Sequence, residues 1–195
     1  MIFKKLESYN ITLASGSPRR KEILEKTGIP FTIGRGRDVR EEYPADLPID
    51  EVALFLARLK ADAWKDIWQQ PNQMVITADT IVAIDNKVIG KPEDRDHAIQ
   101  MLNNLSGRSH RVVTGVVIRT ANIEKAFTDV TTVHFKPLAR EEIIYYIDQY
   151  QPFDKAGAYG IQEWIGLIGI HRIEGSYFNV MGLPVSRLME ELMNF

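Results

Sequence analysis

Residues 10–24 read NITLASGSPRRKEIL, and this stretch decides the fold class. NITLA is a short apolar run of strand length. Ser15 and Ser17 flank Gly16, Pro18 follows, and Ile23 with Leu24 supplies the apolar face of a helix. Ser17 is placed to cap that helix and Pro18 to take its first position, where a missing N–H loses nothing. A strand that turns through small residues into a helix opens a β–α unit. The turn also carries a chemical expectation. Amides at the helix start and the guanidinium groups of Arg19 and Arg20 can serve one anion, and the small residues let a phosphate approach the backbone. Taken alone, an ordinary capped helix with solvated arginines explains the stretch about as well. The glycine-lysine-serine/threonine ending of a Walker loop is missing.

Outward from this unit, GIPFTIG reads as a second strand, and residues 35–50, polar and carrying two prolines, read as a loop. From Asp50 onward Val52, Leu54, Phe55, Leu56, Leu59 and Trp64 recur at helical spacing, with Lys60 among them. QMVITADTIVAID is a strand with a polar interruption, closed by a DN turn and continued by KVIG. Asp94 caps a helix running through Leu105. SGRSHRVVTGVVIRT and EKAFTDVTTVHFKPL read as two long alternating strands, and AREEIIYYIDQY as an amphipathic helix. A glycine-rich stretch with a strand at its centre follows, and VSRLMEELMNF closes the chain as a helix. Strands alternating with helices, plus a long hairpin-like pair, predict a single α/β domain over residues 1–195 with a mixed sheet.

Bulk properties narrow the function. A net charge of −2 over 195 residues gives no general attraction to nucleic acid or to an anionic membrane, so anion recognition has to be local. A basic stripe interleaved with aromatics, as an RNA-binding module needs, is missing. The absence of cysteine excludes disulfides, thiolate metal sites and cysteine nucleophiles. Neither a signal peptide nor a membrane-length apolar run is read, so the expected location is the cytoplasm. His97, His110, His134 and His171 lack metal-ligand spacing, and no serine-histidine-acid arrangement stands out.

Four further groups carry chemistry. Asp79 interrupts an apolar strand, and a carboxylate there needs a cation or a donor cluster; a structural aspartate satisfied by a neighbouring loop is the competing account. Thr80 beside it either holds ligand or simply favours the strand. Glu41 and Glu42 lie in the long loop, and a loop glutamate joined with Asp79 is enough for magnesium, which takes one or two carboxylates plus waters and substrate phosphates. Lys60 on its helix and Lys91 before Pro92 are each weak signals of anion binding. In DKAGAYGIQ, glycines permit close approach, and Gln162 offers a donor and an acceptor to a base edge; a turn with an exposed glutamine is the simpler reading of that segment alone.

Taken together, LASGSPRRKEIL, DVREE, LARLKA, VITADTIVAIDNKVIGKP, SGRSHRVVTGVVI, DKAGAYGIQ and GSYFNVMGLPV resemble the Maf-like proteins in order and spacing over nearly the whole chain. That resemblance implies a fold like that of the inosine triphosphate pyrophosphatases, with a mixed twisted sheet flanked by helices and two lobes around a central cleft. It implies a nucleoside triphosphate pyrophosphatase that releases monophosphate and pyrophosphate with Mg2+ or Mn2+. The family's catalytic aspartate falls on Asp79, and its loop metal ligand on Glu41, with Glu42 as the alternative because Arg40 stands where many relatives are acidic. The branch acting on dTTP and UTP is matched by Arg19, Lys60, Thr80 and Gln162, and a sister branch acting on 7-methyl-GTP differs at the last segment. The expected substrate cradle is Ser15, Ser17, Arg19, Arg20 and Lys91, with Asp79 taking the proton from an attacking water. A homodimer is left open. The competing function is a nucleotide-binding regulator of septum formation whose hydrolysis is incidental.

Overall fold

The computed structural model describes residues 4–35 and 37–195; Gly36, inside the loop expected over residues 35–50, lies outside the described residues. The chain opens with β1 (Asn10–Ala14), α1 (Pro18–Glu25) and β2 (Thr32–Gly34). Ser17 caps α1, its hydroxyl oxygen accepting weakly from the Arg20 N–H at 3.5 Å, with Pro18 in the first helical turn. After the loop come α2 (Ile49–Asp62), α3 (Lys65–Trp68), β3 (Gln73–Ile84) and β4 (Lys87–Ile89). Asp50 and Glu51 sit in the first turn of α2 and Lys60 in its last, the charge order that the helix dipole favours. Asp85 and Asn86 join β3 to β4 with φ of 50° and 55°, both left-handed, as a two-residue hairpin turn of matching twist requires.

The rest of the chain is α4 (Arg95–Leu105), β5 (Ser109–Arg119), β6 (Glu124–Phe135), α5 (Arg140–Tyr150), a 3-10 turn (Ala156–Ala158), α6 (Trp164–Gly169), β7 (Ile170–Glu174), α7 (Tyr177–Val180) and α8 (Val185–Met193). The architecture is mixed α/β, with seven strands in the order β2-β1-β3-β5-β6-β7 and β4 paired to β3. β1 runs parallel to β2 and β3, placing Thr12 beside Thr32 and Leu13 beside Ile76. β3 with β4 and β6 with β7 are antiparallel. Among the described residues no helix is long and apolar enough to cross a membrane.

Two differences from the sequence expectation have clear causes. β5 does not alternate: seven consecutive residues, Val112 to Ile118, are buried, because both faces are covered. The glycine-rich stretch holds its strand, β7, but also α6, where a Cβ on Gly166 would sit 1.9 Å from the Ile161 carbonyl oxygen. That glycine weakens helix propensity and was needed for close packing.

The chain divides into two compact units. The first takes in the chain up to Asp79, residues 114–129 and residues 182–195. Its centre is α2 against the strands. A Cβ on Gly115 would fall 2.3 Å from both N and Cα of Leu54, so only glycine lets α2 lie this close to β5. Ala57, Ala61 and Val117 pack there. Thr77 Oγ1 donates to the Ala57 carbonyl oxygen at 2.7 Å and ties α2 to β3. The second unit takes in residues 80–113 and 130–181. It is built around an aromatic group of His110, Phe135 and Tyr159, with ring centroids 5.2 to 5.6 Å apart. The Tyr159 hydroxyl meets His110 Nε2 at 2.7 Å.

Candidate active site

In the first unit the acidic residues singled out in the sequence meet on one lysine. Asp79 is only 7% exposed. Lys60 Nζ bonds to Asp79 Oδ1 and, at 2.8 Å, to Glu41 Oε1. The delivery of Lys60 follows from local structure: the Thr77 hydroxyl holds the Ala57 carbonyl, Lys60 lies one helical turn beyond Ala57, and Asp79 lies two strand residues beyond Thr77. Glu42 is turned elsewhere, paired with Arg40 Nη2 at 2.6 Å, so of the two loop glutamates it is Glu41 that reaches Lys60.

The SGSPRR turn contributes a second set of groups to the same unit. Arg20 Nε donates to the Gly182 carbonyl oxygen at 2.8 Å, and Nη1 donates to Ser15 Oγ at 3.3 Å. The Ser17 amide also donates to Ser15 Oγ, at 3.2 Å. Burial holds Arg20 below the usual arginine pKa; the charges of Asp79 and Glu41 pull it back up, and Arg19 adds to the lowering. Arg20 therefore lies within electrostatic reach of both carboxylates. Arg19 stands beside it on α1, half-buried.

Two carboxylates from a loop and a strand thus converge on one cation position, filled by the Lys60 ammonium. Hard oxygen donors gathered in this way suit a divalent cation of the magnesium class. Among the described residues no group of three or more His, Cys, Asp or Glu collects around a point, so substrate oxygens and water would complete such a shell.

In the second unit Thr80 is half-buried on β3, and Lys91 is exposed in the turn after β4. The Gly157 amide donates to the Gly90 carbonyl oxygen at 2.9 Å and fastens that turn to the DKAGAYG segment. Gly157 and Ala158 are both left-handed, with φ of 73° and 58°. An alanine held there signals a backbone over-determined by its surroundings. Gln162 is half-buried rather than exposed, and its Oε1 is buried with no hydrogen-bond partner among the described residues. Glu163, Tyr146 and Lys155 surround this segment, and the sequence offered no reason to single them out: their connection crosses 17 residues and is visible only in space.

The chain matches a protein family described as "Maf-like protein" over residues 10–195. It is 52% identical over 187 residues to a "dTTP/UTP pyrophosphatase" of Bacteroides thetaiotaomicron, covering 96% of each chain. A protein of that name from Porphyromonas gingivalis is 51% identical over 191 residues, covering 97% of this chain and 96% of the relative. One from Flavobacterium johnsoniae is 46% identical over 192 residues, covering 98% of each. With the family match spanning everything from β1 to the last residue, and relatives aligned nearly end to end, the chain belongs to the Maf-like proteins.

Proposed function

We propose that this chain is a dTTP/UTP pyrophosphatase, hydrolysing these nucleotides to the monophosphate and pyrophosphate. The observation that carries the reading is the convergence of Glu41 and Asp79 on a single cation position, within electrostatic reach of Arg20. Carboxylates beside a triphosphate repel it unless a cation intervenes, so this arrangement suits an enzyme better than a regulator that merely binds nucleotide. The names of the relatives favour the same choice.

In the first unit Arg20 is oriented by Gly182 and Ser15, which presents its guanidinium as a fork to phosphate oxygens. Arg19 and the hydroxyls of Ser15 and Ser17 add donors at the start of α1. Glu41 and Asp79 would hold a divalent cation, Mg2+ or Mn2+, which when bound neutralises charge developing on the pyrophosphate leaving group. Asp79 accepts a proton from the attacking water at a carboxylate oxygen. Lys60 balances the two carboxylates and, when they turn to another cation, is free to meet a phosphate oxygen. In the second unit Lys91 is assigned to phosphate, and Thr80 and Gln162 to the base. The buried, unmatched Gln162 Oε1 is an acceptor suited to the N3–H of uracil or thymine.

The test is product analysis of a nucleotide panel with Mg2+. Pyrophosphate and monophosphate from dTTP and UTP are expected, and Asp79→Asn should lower turnover by about 10²- to 10⁴-fold, the usual worth of a positioned base. Release of orthophosphate, or near-normal turnover in that variant with metal supplied, overturns the assignment. Hydrolysis of GTP or ITP as fast as dTTP would remove the pyrimidine preference and leave the pyrophosphatase.

A further inference from the structure

The loop that carries Glu41 is fastened four residues before it. Arg37 spreads its guanidinium over the corner where α2 ends and α3 begins. Its Nη2 donates to Asp66 Oδ2 at 2.9 Å, and its Nη1 donates to Asp66 Oδ1 and, at 2.5 Å, to the Ala63 carbonyl oxygen. The Arg37 Cζ lies 4.2 Å from the centroid of the Trp64 ring. A planar fork bound through both nitrogens to one carboxylate and stacked on an indole is held in a single orientation, which an ammonium on a flexible stem is not. The corner is rigid in turn. A Cβ on Gly34 would fall 2.4 Å from Trp64 Cη2, so the indole lies directly against the end of β2. Trp64 and Ile67 also pack on the buried group of Ala14, Trp68 and Val75.

Glu41 meets the same helix nearly one turn earlier. Its Oε1 takes the Lys60 ammonium at 2.8 Å, and Lys60 stands three residues before Ala63. The loop therefore runs back along the end of α2, gripped by Arg37 at Ala63 and by Glu41 at Lys60. The two grips serve differently. The Glu41 side chain is about half exposed, so burial does not place it, and its grip on Lys60 has to open for the carboxylate to reach a metal ion. The Arg37 grip involves neither Glu41 nor Asp79 and persists through that exchange. Without it, the backbone from residue 37 to 41 would be ordered only when the metal binds, and the freedom lost at that moment would weaken binding.

We infer that Arg37, clamped on Asp66 and Trp64, is a positioning residue that keeps Glu41 beside Asp79 while the Lys60 ammonium gives way to a divalent cation. The inference rests on the reading of Glu41 as a metal ligand. It adds a residue that acts on metal binding through the loop alone.

The experiment compares the wild type, Asp66→Ala, Asp66→Glu, Arg37→Lys and Glu41→Gln in two assays. The first is dTTP hydrolysis as a function of Mg2+ concentration. The second, made without metal or nucleotide, is the rate of tryptic cleavage after Arg40, whose side chain is 84% exposed. Asp66→Ala leaves the loop sequence intact. It should raise the Mg2+ concentration for half-maximal activity by about tenfold, the low end for losing a partner behind a metal ligand, with kcat at saturating Mg2+ within about twofold of the wild type. Cleavage after Arg40 should quicken by about tenfold, because the clamp no longer opposes opening of the loop. Asp66→Glu keeps a carboxylate and should stay within about threefold of the wild type in both assays. Arg37→Lys loses the fork and the stack, should move both readouts in the same direction by less, and keeps the test open if Asp66→Ala does not fold. A merely structural role lowers kcat at every Mg2+ concentration and leaves the half-maximal concentration in place. That outcome, or a folded Asp66→Ala in which either readout stays within about twofold of the wild type, overturns the inference. Glu41→Gln separates the inference from its premise. If that variant leaves the Mg2+ dependence unchanged, the ligand reading falls and the inference with it, whereas a shift in Glu41→Gln alone removes only the inference.

Discussion

Replacing Lys60 by methionine takes the ammonium from between Asp79 and Glu41 while keeping the apolar stem. Asp79 is 7% exposed, and removing one partner of a buried ion pair costs about 3–5 kcal/mol. Two features reduce that loss. The Glu41 side chain is 51% exposed, so water hydrates its charge, and Arg20 lies within reach of the Asp79 charge. A loss of about 1–3 kcal/mol is expected, and at about 2–4 °C per kcal/mol for a chain of this size the melting temperature should fall by about 2–12 °C. The assay is thermal unfolding without nucleotide, with and without Mg2+ or Mn2+. Two carboxylates freed of their ammonium should take up a divalent cation, so Lys60→Met should gain more thermal stability from the metal than the wild type does. Adding Asp79→Asn should abolish the gain. A Lys60→Met protein that melts within about 1 °C of the wild type and ignores the metal would refute the reasoning, because the carboxylates would then not share one cation position.

Three other outcomes follow from the same geometry. Arg20→Lys loses both the Gly182 and the Ser15 contacts of a planar fork, and should raise KM for dTTP by about tenfold with less effect on kcat, as steady-state kinetics would show. Gly115→Ala drives a Cβ to 2.3 Å from the α2 backbone and should destabilise the protein by about 1–3 kcal/mol in urea unfolding; a change below about 0.5 kcal/mol would mean that α2 can move aside. His110 is pushed down to about 3 by burial, with His134 adding to the shift. The unfolded imidazole binds its proton near 6.5, so the unfolded state holds more protons between those values and stability falls as pH falls through that window. The slope from this group reaches about 1.4 kcal/mol per pH unit, and His110→Phe should flatten the acid side of the stability curve; an unchanged slope would exclude His110 as its source.

The strand–turn–helix opening, the α2 periodicity, the DN turn and the Asp94 cap were legible because each rests on local chemistry within about one helical turn of sequence. α6 was not legible. Its glycines argue against a helix, and only the neighbouring Ile161 carbonyl explains why Gly166 must be there. Burial on both faces likewise hid the alternation expected of β5. The site divides in the same way. Asp79 announced itself as a charge in an apolar strand, and Arg20 by its place in the turn. Lys60 looked like any helix lysine, since its partners are 19 residues away in each direction. Glu163 gave no signal, because an acidic residue beside a glutamine acquires meaning only from Tyr146 and Lys155 arriving from other elements.

The hydrogen bond from Thr77 to the Ala57 carbonyl acts as an indexing pin between a helix and a strand. Upstream and downstream of it the chain tolerates unequal editing. Between the helix and the strand, Trp68 of α3 is buried against Ala14 and Val75, so a change of length is tolerated only in the exposed stretch over residues 69–71. Deleting one residue between Ala57 and Lys60 swings the ammonium about 100° around the helix axis and leaves Asp79 facing Ala61 instead. Natural variation in chain length among such proteins should therefore gather after the helix and spare these two short intervals.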